Sequence, residues 1–431
     1  MESTLIKTQL SNGLTVHLKE IHNSPIISQW VWYRIGSRNE KPGMTGISHW
    51  VEHMQFKGTE AFPPGILDKA ISREGGFWNA FTYLDWTTYF ETMPAEKIDL
   101  ALRLEANRMS ASLFPLEDVE SERTVIISER EGSENEPLFR LGEAIRTAAF
   151  QTHPYHHEII GEMADLKVIT RDDLYRHYRS YYHPANAVLA VAGDFEAEAM
   201  LKRIAELYEN VPAGQRPEAE VAAEPLSEKE QRLEVEGPGE TTYLQLAYHA
   251  PTAKDPDFFI FSVLDSLLTG PTSLNMFGGG GISNKTSRLY RALVEKELAV
   301  SVNGGLSATI DPFLYDITVT IHPRRKHKTV LRSLDDEIKK LQDALVTPDE
   351  INRAVKQARA LFAYGSENIT NQGFWLGYAE MFASYDWFIH YVSELSKVTP
   401  LDIQRVACRY LRPENRVVGI YLPNTDRKNH R

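Results

Sequence analysis

Cysteine is almost absent: Cys408 stands alone in 431 residues. One thiol cannot form an internal disulfide, and it excludes a cysteine-built zinc site. Long apolar runs are missing too. Nothing approaches the roughly 18 unbroken apolar residues of a membrane helix, so no membrane span is expected. Positive charge is in short supply, because 47 Lys and Arg face 59 Asp and Glu, for a net charge of −12. That balance disfavours nucleic acid, which is bound through Lys and Arg against phosphate, and it favours a basic peptide. Residues 1–7 carry neither a basic n-region nor an apolar core. Neither a secretory signal nor an Arg-rich transit peptide is therefore expected, and a cytoplasmic location is.

What is present is the composition of an ordinary soluble protein, 42% hydrophobic and 25% charged. The length exceeds one ordinary core, which predicts two domains. Residues 212–229 are rich in Pro, Ala and Glu without periodicity and read as a linker between domains at 1–211 and 230–431. The halves look alike. Thr170, Asp173, Tyr181, Pro184, Asn186 and Val188 have counterparts 229 residues later in Thr399, Asp402, Tyr410, Pro413, Asn415 and Val417. In each copy the Thr suits a helix cap, and the Pro and Asn suit a turn into a buried strand. This predicts a duplicated domain.

The most informative run is His49-Trp50-Val51-Glu52-His53. Two histidines four apart on a helix project from one face and can reach one metal ion. Glu52 lies beside them, where it can take a proton from an attacking water. The order His-x-x-Glu-His is the inverzincin pattern. On a helical wheel Ile47, Trp50, Val51 and Met54 form a core stripe, with His49, Glu52 and His53 almost opposite. By itself that face also suits plain solvated surface.

A third ligand is sought on residues 116–131, which read as a helix. Glu122 and Glu129 share its apolar stripe with Val119, Val125 and Ile126, while Glu120, Arg123, Ser128 and Glu131 take solvated faces. Carboxylates on an apolar face need partners. A zinc ion with its histidines would supply them, and so would ion pairs with Arg103 or Arg108.

The motif, followed by Glu129 in Val125-Ile126-Ile127-Ser128-Glu129-Arg130-Glu131, resembles the pitrilysin/insulysin metallopeptidases, and most closely their short chains related to mitochondrial processing peptidase. The separation of about 75 residues from motif to Glu129 fits. Further matching stretches are Gly75-Gly76-Phe77-Trp78-Asn79-Ala80-Phe81-Thr82, His153-Pro154-Tyr155 with Ile160-Gly161, and Tyr182-His183-Pro184-Ala185-Asn186 through Gly193-Asp194. The resemblance implies one zinc ion on His49, His53 and Glu129, Glu52 as general base, and Glu122 as an acid behind the ligands. It also implies an edge strand where an extended peptide adds, with Asn79, Ala80 and Phe81 in contact. Read without the family, that strand is an ordinary one with a glycine bend.

Strands alternating with helices predict an α+β fold. The resemblance implies two homologous domains, each an antiparallel sheet packed with helices, facing across a cleft. At the second-half counterpart of the motif the chain reads Phe258-Phe259-Ile260-Phe261-Ser262-Val263-Leu264-Asp265, with no histidine, and near the counterpart of Glu129 lies Leu361, not an acid. Similar packing demands without the polar set favour a zinc site in the first half.

The chain departs in one place from the pattern of the family it resembles. Single-chain members carry a substrate-binding Arg and Tyr after a segment like Ser287-Arg288-Leu289-Tyr290. Here their positions hold Val294 and Val300, and the spacing is one residue short; Arg291 lies one turn earlier. Neither valine can donate a side-chain hydrogen bond. The expected activity is zinc-dependent endopeptidase, with this chain as the metal-bearing subunit of a heterodimer and a homologous metal-free subunit supplying Arg and Tyr. The alternative is a non-catalytic assembly or scaffold subunit. The glycine run at 278–281 ahead of Lys285 approaches a phosphate-binding loop, but Asn284 replaces the glycine required before Lys, and a loop over the cleft is expected instead.

Overall fold

The computed structural model describes residues 5–217, 221–225, 227–274 and 282–424, with backbone alone at 66–68. The glycine run at 278–281 lies outside the described residues. Two compact units emerge. One holds Met1–Arg130, His157–Ala222 and Ser366–Phe388; the other holds Glu131–His156, Ala223–Gly365 and Ile389–Arg431. The linker divides the chain by sequence likeness, whereas packing draws each unit from three stretches.

The first unit is built on six strands: β1 (Leu5–Gln9), β2 (Thr15–Glu20), β3 (Ile26–Tyr33), β4 (Phe77–Thr82), β5 (Thr87–Pro94) and β6 (Ala187–Gly193), in the order β1-β2-β6-β3-β5-β4. All neighbours are antiparallel except β2 with β6. The β1–β2 hairpin turns at Asn12-Gly13, where Gly13 takes φ +89°. Asn12 donates to Tyr208 O at 2.7 Å, tying the turn to helix Ala197–Tyr208.

Strand β3 shows why a distant helix joins this unit. Its side chains alternate between the two sheet faces. Val31 and Tyr33 enter the core shared with Trp50 and Met54. Trp30 and Trp32 project the other way, onto Phe374 of helix Ile369–Phe382, with ring centroids 5.5 and 5.4 Å apart. A Cβ on Gly373 or Gly377 would stand 2.7 or 2.1 Å from Trp30 Cδ1 or Trp32 Cδ1, so only glycine lets that helix seat on the indoles.

The second unit has β7 (Gln231–Gly237), β8 (Tyr243–His249), β9 (Ala299–Leu306), β10 (Leu314–Ile321) and β11 (Arg416–Pro423), in the order β7-β11-β8-β10-β9. Its one parallel pair is β7 with β11. This order reproduces β2-β6-β3-β5-β4. The duplication extends to single hydrogen bonds. Thr170 accepts from Asp173 N and Thr399 from Asp402 N in matching capping boxes. Asn186 and Asn415 donate to Tyr181 O and Tyr410 O at 2.9 and 2.8 Å. The chain is α+β, as expected, with each sheet mostly antiparallel and packed with helices. No helix among the described residues is long and apolar enough to cross a membrane.

Candidate metal centre

The motif forms helix Ile47–Met54, and Ile47, Trp50, Val51 and Met54 are buried along one stripe. Its first turn is anchored unusually well. Thr45 donates through N and Oγ1 to Asp165 Oδ2, at 3.0 and 2.7 Å. The fully buried Glu40 carboxylate accepts from Gly46 N and Ser48 N, each at 2.8 Å. Burial pushes the Glu40 carboxyl up to about 8, against the pull of those backbone bonds. Gly46 and Gly161 meet backbone to backbone, both at positive φ; a Cβ on Gly161 would lie 2.4 Å from Thr45 O. The Ile160-Gly161 segment therefore serves the start of the motif helix.

One turn on, His49 and His53 stack edge to face with ring centroids 4.7 Å apart. Donor atoms of His49, His53 and Glu129 all lie within 4.8 Å of one another. His53 Nε2 stands 3.7 Å from Glu129 Oε2. Two ligands about 2.1 Å from a tetrahedral ion are about 3.4 Å apart, so this set needs little closure to hold zinc. His53 Nδ1–H donates to Glu122 Oε2 at 2.9 Å, which leaves the Nε2 lone pair toward Glu129. Lys57 pairs with the other Glu122 oxygen. Burial raises the Glu122 pKa, but the Lys57 and His53 bonds outweigh it and hold it below the usual range. His49 is kept neutral, its pKa lowered to about 3 by burial and by His53, and its Nδ1 is buried with no hydrogen-bond partner. Both imidazoles thus offer what a divalent cation takes.

Glu52 is buried between this cluster and β4, and Thr82 Oγ1 donates to its Oε2 at 2.5 Å. Burial raises its carboxyl to about 7, against the pull of the Thr82 bond. A carboxyl poised near neutrality suits a proton acceptor.

The acid-bearing helix spans Leu116–Ser133, with Val119, Glu122 and Ile126 buried. Three details differ from the sequence reading. Val125 is exposed, and the Glu129 side chain is 45% exposed, so Glu129 lies at the rim of the stripe. Arg123 is not solvated: it donates to Leu166 O and Ile169 O, and its guanidinium lies 4.8 Å from the Trp50 ring, docking this helix on the motif helix. Arg108 binds Glu105 and Arg103 binds Asp99, so neither is the partner of Glu122 or Glu129.

β4 is the open edge of its sheet. Asn79 is exposed, Ala80 is buried, and Phe81 is half-buried, stacking on Phe90 at 6.3 Å. Asn79 Oδ1 accepts from Ala80 N at 2.8 Å. A peptide that paired with that N–H would displace the Asn79 amide. In the second unit, His153 binds Asp311 at 3.0 Å, Tyr155 lies against Phe313, and Glu224 accepts from the backbone N–H groups of residues 151–153. The His-Pro-Tyr segment is thus a packing anchor there. At the family's Arg and Tyr positions, Val294 ends a single π turn, Tyr290–Val294, and Val300 is 57% exposed on β9. Glu297, between them, takes φ 54°. Arg291 is exposed.

Sequence reasoning missed Glu40, Lys57 and Thr82. Lys57 was findable, since it follows His53 by four residues, as His53 follows His49. Glu40 and Thr82 carry no spacing signal.

Two imidazoles, the Glu129 carboxylate and the buried Glu52 carboxyl thus come together on an α+β duplicate. Residues 15–162 match the model of the insulinase family, peptidase family M16, and residues 169–358 match the model described as the peptidase M16 inactive domain. The chain belongs to peptidase family M16. It is 27% identical to a zinc protease of Streptomyces coelicolor over 96% of this chain and 90% of that one, and 27% identical to zinc protease PqqE of Helicobacter pylori over 94% and 89%. It is also 28% identical to a probable mitochondrial-processing peptidase subunit beta of Arabidopsis thaliana, over 68% of this chain and 55% of that one. Among solved structures, a protease from Helicobacter pylori superposes with TM-score 0.89 at 24% identity, covering 98% and 100%. The periplasmic protease PqqL of Escherichia coli matches with TM-score 0.77 at 17% identity, over 98% of this chain but 48% of that one.

Proposed function

We propose that this chain is a zinc-dependent endopeptidase acting on extended peptides. The observation that carries the reading is the convergence of His49, His53 and Glu129 donors within 4.8 Å, beside a buried Glu52. One ion bound there would act as a Lewis acid toward the substrate carbonyl and make a nearby water more acidic. Glu52 accepts that water's proton and returns it to the departing amine. Glu122 fixes the His53 tautomer. The open edge of β4 offers main-chain pairing to the peptide, with Asn79, Ala80 and Phe81 at the contact.

Val294 and Val300 leave the chain without the family's substrate-binding Arg and Tyr. We propose that a homologous metal-free subunit brings them, with this chain as the metal-bearing partner of a heterodimer. The PqqL likeness supports this at the level of fold, since that chain holds about twice the length matched here. Metal analysis and a peptide assay test the reading, with the chain alone and with such a partner. The enzyme binds one zinc, and Glu52→Gln keeps the zinc and loses turnover; a preparation supplied with zinc that retains none refutes it. Full activity of the isolated chain refutes the pairing.

A second reading, a non-catalytic assembly subunit, is favoured by the match to the inactive-domain model and by the likeness (TM-score 0.86, 18% identity) to a structure from Pseudomonas fluorescens described as that domain. It expects Glu52→Gln to change nothing measurable.

A further inference from the structure

Strand β4 does more than offer an edge. Its side chains alternate, so Trp78, Ala80 and Thr82 share the face toward the motif helix. Trp78 stacks on Phe56, just past that helix, with centroids 4.5 Å apart; Ala80 is buried; and Thr82 reaches Glu52. Two oxygens lie within reach of the Thr82 hydroxyl. Thr87 Oγ1 lies 3.4 Å from Thr82 Oγ1 and spends its own proton on Ile35 O at 2.9 Å. Thr87 is therefore left as an acceptor, and Glu52 Oε2, at the much shorter distance, takes the Thr82 proton. The base thus has one oxygen tethered and one available.

We infer that Thr82 is a positioning residue, which holds Glu52 by Oε2 so that Oε1 alone faces the attacking water, and which links the peptide-binding strand mechanically to the base. This rests on the peptidase reading above. A buried carboxylate with two free oxygens can rotate about its last torsion, which is broad and shallow. Tethering one oxygen removes that freedom before substrate arrives, and misplacing a reacting group by about 1 Å can lose ~100-fold in rate. The hydroxyl sits within the strand that receives the peptide, so a substrate pairing with β4 stiffens the support of the base as it binds.

The test compares Thr82→Val, which keeps shape and removes the donor, with Thr82→Ser, which keeps the donor. Two readouts are taken on the full chain, with the partner subunit for the kinetics. One is the side-chain carboxyl 13C resonance of Glu52, assigned by its disappearance in Glu52→Gln. The other is steady-state hydrolysis with zinc content measured alongside. Thr82→Val moves the Glu52 resonance and lowers kcat by about 10- to 100-fold at unchanged KM and zinc content; Thr82→Ser restores both. An unmoved resonance in Thr82→Val overturns the inference. So does an unchanged kcat, and so does a loss confined to KM or zinc that serine does not rescue, which would mark Thr82 as plain strand packing. If Thr82→Val does not fold, Thr82→Ala replaces it under the same criteria. If the zinc-loaded wild type with its partner hydrolyses nothing, the peptidase reading fails, and the resonance alone decides whether Thr82 holds Glu52.

Discussion

Removing the Glu122 carboxylate separates orientation of a ligand from ligation itself. Glu122 touches no position where an ion would sit. Its two oxygens serve two donors, His53 Nδ1 at 2.9 Å and the Lys57 ammonium. In Glu122→Ala the ammonium, on a side chain 26% exposed, turns to solvent on its long stem, so the loss falls on His53. Its ring is then free to rotate and to carry its proton on Nε2, the nitrogen that faces Glu129. A partner of this kind contributes 10- to 100-fold in metal affinity, about 1.4–2.7 kcal/mol. Glu122→Gln is gentler. Its single amide oxygen still accepts from Nδ1–H, while its NH2 faces Lys57, donor against donor, and expels it. The expected order is a loss of up to about 10-fold for Gln and about 100-fold for Ala. Competition against a chromophoric chelator measures the affinities, and urea unfolding of the zinc-free proteins checks that the fold persists. An alanine variant with wild-type zinc affinity would refute the role given to Glu122. Equal losses in both variants would show that charge, not the hydrogen bond, is what matters.

Glu40 gives a pH-dependent signature. Its carboxyl sits near 8 when folded, against 4.5 ordinarily, so the folded state binds this proton more tightly. Its contribution to stability is complete below about pH 4.5 and is lost as pH rises through about 8. Wild type should therefore lose stability relative to Glu40→Gln between pH 5 and 8.5 in urea midpoints, and a pH-independent difference would contradict this. Gly161→Ala places a Cβ 2.4 Å from Thr45 O at a φ of +87°, a conformation that alone disfavours alanine by about 1–2 kcal/mol. It should weaken zinc binding by shifting the first turn of the motif helix, and unchanged affinity would count against the anchoring role. Gly377→Ala sets a Cβ 2.1 Å from Trp32 Cδ1. Overpacking of about 1–3 kcal/mol should outweigh the ~1 kcal/mol helix gain and lower the unfolding midpoint.

The parts of this molecule that were readable in its sequence are those governed by local rules. The helix-period stripe at Ile47, Trp50, Val51 and Met54, the Asn12-Gly13 turn and the paired Thr-x-x-Asp caps each depend on residues within a turn or two. The polar set was readable because two histidines and two glutamates fell at spacings that packing does not require. What escaped was set by tertiary approach. Arg123 lies on a face that looks solvated, yet the Trp50 ring and two carbonyl oxygens close over it. Thr82 looks like any strand threonine until β4 is laid on the motif helix. The reach of helix Ile369–Phe382 onto Trp30 and Trp32 is invisible along the chain, because Gly373 and Gly377 acquire meaning only against indoles more than 300 residues away.

The duplicate supplies an internal control for what the polar set does. Helix Asp257–Leu268, at the place equivalent to the motif helix, is buried through Phe258, Phe261, Val263, Leu264, Leu267 and Leu268. It packs against helix Pro348–Tyr364, where Leu361 is buried near the position answering to Glu129. Its buried polar side chains are paired within the unit: Asp257 with Arg405 and Arg409, Asp265 with Thr269 and Tyr315, and Ser266 with Ala354 O. The first unit instead buries Glu52, half-buries two histidines, and leaves His49 Nδ1 without a partner. Buried polar groups of that kind cost about 1–3 kcal/mol each where unpaired. The second copy has no histidine at that place and pairs the polar groups it buries, so packing alone does not call for the unpaired imidazole of His49. His49 thus carries that cost in the unit where the zinc site is proposed.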